Sequence, residues 1–219
     1  MHITVENLIN IENQIKSSFN SHNIDRLPKV IAVSKTFTID KILPLIEHGH
    51  SDFGENKVQE ALNKWSDIKK KNSSIKIHLI GKLQTNKVKI AVKLFDFIHS
   101  VDSKKLAKKI ADEQLKLDKQ IKIFIQVNIG DEDQKSGTNK SDLNELITYC
   151  QEINLKVIGL MCIPPLDDDP SKYFKAMKEL NQTYGFNELS MGMSSDYLKA
   201  IEHEATFVRI GSNIFGART

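Results

Sequence analysis

Val30-Ile31-Ala32-Val33-Ser34-Lys35 is an apolar run that ends on an amine. Four apolar residues without polar alternation describe a strand buried on both faces, as in a parallel sheet covered by helices. Lys35 stands where that strand ends, and the carboxyl ends of such strands open into the pocket where α/β proteins hold ligands. An amine partly withdrawn from water there is a candidate nucleophile toward carbonyl compounds. An ordinary lysine at a loop start fits the same position, so the surrounding chain has to decide.

Outward from this strand, short apolar runs alternate with helical periodicities and no linker intervenes. An amphipathic helix over about Val5 to Asn20 precedes it. A helix with Ile39, Ile42, Leu43 and Ile46 on one face follows, stopped by Gly49. Asp52-Phe53 is a second strand ending at Gly54-Glu55-Asn56, and the next helix carries Val58, Ala61, Leu62 and Trp65, the last read as packing. Further strands are expected over Ile75–Ile80, Phe97–Val101, Lys122–Ile129, Lys156–Cys162, Glu188–Met191 and Thr206–Ile210, with Asp102-Ser103 as a helix N-cap. Eight strands separated by helices predict an α/β fold, a (β/α)8 TIM barrel closed within one domain over residues 1–219, with an extra N-terminal helix. A doubly wound open sheet would carry a glycine-rich phosphate turn after its first strand, and Ser34-Lys35-Thr36 is not one.

Composition bounds the function. The 219 residues are 40% hydrophobic, enough for a full core, and 31 basic against 28 acidic residues leave a net charge of only +3. No arginine-rich stripe points to nucleic acid, and runs such as Lys69-Lys70-Lys71 and Lys104-Lys105 read as solvated helix faces. Cys150 and Cys162 form neither a metal spacing nor a disulfide framework, which suits a reducing compartment. His48 and His50 lack an evident third metal ligand, and Asp167-Asp168-Asp169 reads as a solvated loop. The N-terminus lacks the basic start and apolar core of a signal peptide, and no run reaches membrane-spanning length. A soluble cytoplasmic protein is expected.

On the barrel register, the unusual residues gather at strand ends. Lys35 follows strand one, Asn56 strand two and Ser194 strand seven; Asn128 ends strand five, and Arg209 lies near the end of strand eight with Gly211-Ser212 beyond. His78, inside strand three, reads as a buried residue with a satisfied hydrogen bond. Met191-Gly192-Met193-Ser194-Ser195-Asp196 is a small-residue turn into a helix, and Gly211-Ser212-Asn213-Ile214-Phe215-Gly216 supplies a second turn with amides and a hydroxyl. Adjacent loops after strands seven and eight form phosphate sites in barrels, although Ser-Ser-Asp is also an ordinary N-cap. An amine at strand one and a phosphate grip at strands seven and eight together suggest a phosphorylated aldehyde, of which pyridoxal 5'-phosphate is the obvious candidate.

These residues also carry a resemblance. The chain resembles the pyridoxal phosphate homeostasis proteins, which share their barrel with the N-terminal domain of alanine racemase. The likeness runs from about Val30 to Arg218. It rests on Ala32-Val33-Ser34-Lys35, Phe53-Gly54-Glu55-Asn56-Lys57-Val58-Gln59-Glu60, His78-Leu79-Ile80-Gly81-Lys82-Leu83-Gln84-Thr85-Asn86-Lys87, Lys135-Ser136-Gly137 and Gly159-Leu160-Met161, then on the two turns just quoted with Val208-Arg209-Ile210. The resemblance implies that Lys35 carries the cofactor as a Schiff base. It implies that Ser194, Gly211 and Ser212 bind the phosphate, that Arg209 faces the pyridine nitrogen, and that Asn56 lines the pocket. An arginine keeps that nitrogen unprotonated, which makes the ring a poorer electron sink than one paired with Asp. Glu204 stands where family members commonly have Gly.

A racemase of this fold needs two bases, and in alanine racemase the second is a tyrosine from the partner subunit's C-terminal domain. This sequence ends at Thr219 after the last barrel element, and Tyr149, Tyr173, Tyr184 and Tyr197 all fall in expected helices or their ends. The resemblance therefore implies a non-catalytic protein that buffers pyridoxal 5'-phosphate or delivers it to apoenzymes that depend on it, expected to be a monomer. The alternative is a racemase or related enzyme with weak activity. A Schiff-base aldolase would place its lysine on a later strand. The lysines of Gly81–Lys87 read as solvated rather than as a second phosphate site.

Overall fold

In the computed structural model, eight parallel strands close into a barrel in sequence order, with the first pairing the last. All residues are described except 23–25, 133, 135, 218 and 219, together with the side chains of 19–22; Lys135 and Arg218 of the resemblance thus lie outside the described residues. The strands are β1 (Lys29–Val33), β2 (Asp52–Glu55), β3 (Lys76–Leu79), β4 (Phe97–Val101), β5 (Lys122–Gln126), β6 (Lys156–Met161), β7 (Glu188–Met193) and β8 (Phe207–Ile210). The helices are α1 (Ile3–His22), α2 (Ile39–Glu47), α3 (Val58–Lys71), α4 (Val88–Leu94), α5 (Lys104–Leu117), α6 (Lys140–Glu152), α7 (Pro170–Thr183), α8 (Tyr197–Glu202) and α9 (Ser212–Phe215).

The strand period of two sorts side chains into two cores. Outward residues such as Ala32, Phe53, Ile77, Ile98, Ile123, Leu160, Leu189 and Val208 join the helices in one large apolar layer. Inward, Ile31, Phe97, Phe124, Met161 and Phe207 form a separate small cluster. Polar residues fill the other inward places, with His78, His99, Ser190 and Arg209 all buried. Helix α1 is tied on by the Tyr197 hydroxyl, which donates to Gln14 Oε1 at 2.6 Å, and by Asn7 Nδ2, which donates to Ile214 O at 3.0 Å.

Most expected bounds hold to within a residue or two, and two strand ends and one helix face need comment. Strand β5 ends at Gln126; the Val127 amide still donates to Met161 O at 2.8 Å while Val127 forms an isolated bridge with Thr138, and Asn128 lies beyond the strand, tying its own loop by donating to Glu132 O at 3.0 Å. Strand β7 runs to Met193, two residues farther than expected. On α2 the buried residues are Ile42 and Leu45, while Leu43 is exposed. Ser103 caps α5 as expected, accepting from the Leu106 amide.

Two backbone positions carry energetic consequences. A Cβ on Gly159 would overlap the carbonyl oxygen of Glu188 on the neighbouring strand. Glu204 adopts a left-handed φ of +64°, the conformation that glycine holds without penalty. Its pair with Lys178 at 2.7 Å is half exposed and offsets little of that cost. Gly159→Ala is expected to cost about 3 kcal/mol, as overpacking against rigid backbone does. Glu204→Gly is expected to add roughly 0.5–1 kcal/mol by relieving the left-handed strain. Denaturant unfolding of both variants checks the two signs.

Candidate functional site

Lys35 is seated by a buried polar cluster beneath the end of β1. Lys64 Nζ donates to Ser34 O at 2.8 Å, to Glu55 Oε1 at 3.0 Å and to Glu60 Oε1 at 3.2 Å. Glu55 Oε1 also accepts from Ser34 Oγ at 2.7 Å and Trp65 Nε1 at 2.9 Å. Thr36, next to Lys35, has a φ of +67°, and its amide donates to Glu60 Oε1 at 2.6 Å. A threonine in that conformation persists only where its surroundings hold it. Phe37 then stacks on Phe215 with ring centroids 4.8 Å apart, joining the loop after β1 to α9.

The loops after β7 and β8 are stitched together in the same way. The Gly211 amide donates to Ser194 Oγ at 3.2 Å, and Asn213 Nδ2 donates to Ser194 O at 2.9 Å. Asp196 does not cap α8; its carboxylate instead accepts from the Met193 amide at 2.6 Å and closes the turn around Ser194 and Ser195. The amides of Ser212 and Asn213 open α9, where no intrahelical acceptor exists for them. Across the barrel mouth, Gly81 passes the Asn56 backbone so closely that a Cβ would overlap it.

All six residues singled out in the sequence, Lys35, Asn56, Ser194, Arg209, Gly211 and Ser212, line one cleft of about 350 Å³. Val33, Phe37, Ile80, Ile163, Met193, Ser195 and Gly216 complete the lining. Of these, Val33, Ile80, Met193, Ser195 and Gly216 stood in quoted motifs, whereas Phe37 and Ile163 carried no chemical signal that sequence reading could use. The cleft is of small-molecule size. Its polar groups are an amine, a carboxamide, three hydroxyls, backbone amides and a guanidinium.

Arg209 is buried inside the barrel, where Nη1 donates to Ser190 Oγ at 2.7 Å and Nη2 to Cys162 O at 2.8 Å. Burial pulls the guanidinium down from its ordinary value, while Cys162 and Asp196 act the other way; it stays a cation at any working pH. Among the described residues no carboxylate forms an ion pair with it. Burial also pushes the Cys162 thiol up to about 12, so it is no nucleophile at neutral pH. His78 is buried and hydrogen-bonded, as the sequence implied; its partners are His99 and Asp52 at 3.0 Å each. His99, Ser190 and Asp52 were not singled out in the sequence.

This donor set fits a phosphorylated aldehyde with a ring acceptor: an amine for the carbonyl, hydroxyls and amides for the phosphate, and an unpaired guanidinium for the ring nitrogen.

The family model for the N-terminal domain of alanine racemase matches residues 8–219. A pyridoxal phosphate homeostasis protein of Aquifex aeolicus is 40% identical, with 87% of each chain covered, and one of Vibrio alginolyticus is 35% identical over 97% of each. The chain belongs to the pyridoxal phosphate homeostasis protein family. Among solved structures, PipY of Synechococcus elongatus with PLP bound is 32% identical and superposes with a TM-score of 0.83, covering 98% of this chain and all of that one.

For this homeostasis-family barrel, the buried histidines set the acid response. Burial is the first cause that lowers the pKa values of His50, His78 and His99, the last well below its ordinary range. Their folded values lie below the unfolded ones, so the unfolded chain takes up protons first as pH falls. Stability is expected to be full above about pH 6.5, the ordinary histidine value, and to decline as the solution is acidified below it. His99→Phe should flatten that decline in unfolding curves collected from pH 7.5 to 5, even if it lowers stability throughout.

Proposed function

We propose that this protein binds pyridoxal 5'-phosphate through Lys35 and holds it in reserve for apoenzymes that depend on it, without turning over amino acids. The observation that carries this reading is the convergence of Lys35, Asn56, Ser194, Arg209, Gly211 and Ser212 on one cleft. Bound there, pyridoxal 5'-phosphate supplies an aldehyde that captures primary amines. Lys35 supplies the amine that retains it. Ser194 and Ser212 offer hydroxyls, and the backbone from Gly211 offers amides, to the phosphate. Arg209 directs its charge at the ring nitrogen and keeps that atom unprotonated. Asn56 lines the same cleft.

The non-catalytic part of the reading is supported by what lines the cleft. Lys35 is the one amine among the described lining residues, which include no carboxylate, histidine, tyrosine or cysteine. Racemisation needs an acceptor on each face of the substrate carbon. The names of the curated relatives also speak of homeostasis, not of a reaction. On this reading the protein works as a monomer in the cytoplasm; among the described residues no helix is long and apolar enough to cross a membrane.

Titration of purified protein with pyridoxal 5'-phosphate is expected to raise a visible absorption band that Lys35→Ala abolishes. Added D- or L-alanine should give no racemised product. A band unaffected by Lys35→Ala defeats the covalent assignment, and racemised product makes the protein an enzyme.

A further inference from the structure

Five strands each turn one polar side chain into the barrel, and together these make an unbroken line. At the end facing the cleft, Arg209 Nη1 donates to Ser190 Oγ at 2.7 Å. Ser190 Oγ lies 2.9 Å from His99 Nδ1, His99 Nε2 lies 3.0 Å from His78 Nδ1, and His78 Nε2 lies 3.0 Å from Asp52 Oδ1. Asp52 opens β2 and lines a separate cavity of about 460 Å³ with Glu12, Lys16, Lys29, His50 and Ser51. The line thus runs from one cavity, through the barrel interior, to the other.

Proton counting fixes its direction. Burial alone would raise the Asp52 carboxyl, but the hydrogen bond it accepts from His78 prevails, with Ser51 and Lys29 assisting, and keeps it below its ordinary value and ionised at neutral pH. An ionised carboxylate only accepts, so His78 must carry its proton on Nε2. Neutral His78 then accepts at Nδ1, which places the proton of His99 on Nε2 and leaves His99 Nδ1 to accept. Ser190 therefore donates its hydroxyl hydrogen to His99 and accepts from Arg209. Every bond points the same way, from the cation to the anion, through two neutral imidazoles.

Packing holds the rings in place. His78 stacks on Phe97 and His99 on Phe124, each pair with centroids 4.3 Å apart. Apolar side chains could fill the same volume without the desolvation that two imidazoles incur, so filling space does not account for them.

We propose that Asp52, His78, His99 and Ser190 are positioning residues for Arg209, forming a one-way relay that fixes the guanidinium and transmits the charge state at the Asp52 end to the group Arg209 faces. Two of its five N–H donors are committed to Ser190 Oγ and Cys162 O, and the rest remain for an acceptor in the cleft. The effect on that acceptor rests on the pyridoxal 5'-phosphate reading; the relay itself does not.

The test has two arms. In the ligand-free protein, nitrogen-15 NMR of the histidine rings should show Nε2 protonated and Nδ1 unprotonated in both His78 and His99, and Asp52→Asn should move the signals of both. The opposite tautomer on either ring, or a change confined to His78, overturns the relay. In the second arm, Ser190→Ala should shift the visible absorption of bound pyridoxal 5'-phosphate while retaining it on Lys35, and Ser190→Thr should restore the wild-type band. An unchanged band in Ser190→Ala overturns the coupling to Arg209. Failure of the wild-type protein to bind pyridoxal 5'-phosphate would sink the cofactor reading and leave the first arm to decide the relay. If Ser190→Ala does not fold, Ser190→Thr and Asp52→Asn carry the NMR comparison.

Discussion

A guanidinium cannot give up its charge when it is buried, so an arginine inside a barrel obliges the interior to supply acceptors. Arg209 imposes that obligation here. Its hydrogen bonds to Ser190 Oγ and Cys162 O account for two donors and draw β6, β7 and β8 together at the mouth. The serine that accepts must pass its own hydrogen onward, and His99 on β4 receives it. Each further link is forced in turn, until a carboxylate on β2 ends the series. The small size of the apolar cluster inside the barrel follows from this, because inward positions on five strands are given to the line.

The outer layer answers a different demand. Outward residues of the strands are apolar and meet the helices, and the exception is Glu55, a fully buried carboxylate on β2. Lys64 neutralises it, while Ser34 and Trp65 hydrogen-bond the same oxygen. A buried pair of this kind is weak evidence for stability, since an apolar pair of equal volume packs as well. Its geometric effect is more definite: Lys64 also bonds the carbonyl of Ser34, one residue before Lys35. The cluster fixes where the backbone of Lys35 starts.

Much of this was legible in the sequence because it is local. An apolar run without alternation identifies a strand of a covered parallel sheet, so Val30–Val33 could be placed and Lys35 with it. Glycine-rich turns placed Ser194, Gly211 and Ser212, and all six expected site residues meet in the cleft. What escaped notice depends on contacts between distant segments. Ser190 and His99 lie 91 positions apart, and nothing in either neighbourhood announces the other. Asp52 sits at the start of a strand, where a carboxylate looks like surface punctuation, and its place below His78 depends on barrel closure. The end of β5 failed for a related reason: Val127-Asn128-Ile129 extends an apolar run, but the bonding to β6 stops at the Val127 amide, and Thr138 pairs with the backbone there.

Rigid seating on both sides of the cleft bears on how a reserve protein could work. A ligand that must order loops before it binds loses affinity to that ordering, whereas preformed loops leave the interaction energy for the ligand itself. Here the loop after β1 is held by Glu60 and by the Phe37–Phe215 stack, and the loops after β7 and β8 are held by each other through Ser194. Preorganisation of this kind favours retention. If Lys35 holds the aldehyde as proposed, release has to come from chemistry there: any primary amine that reaches the aldehyde competes with the lysine for it. On the same proposal the loops after β7 and β8 contribute affinity without contributing to that exchange, so grip and hand-over would be governed by different residues of the same cleft.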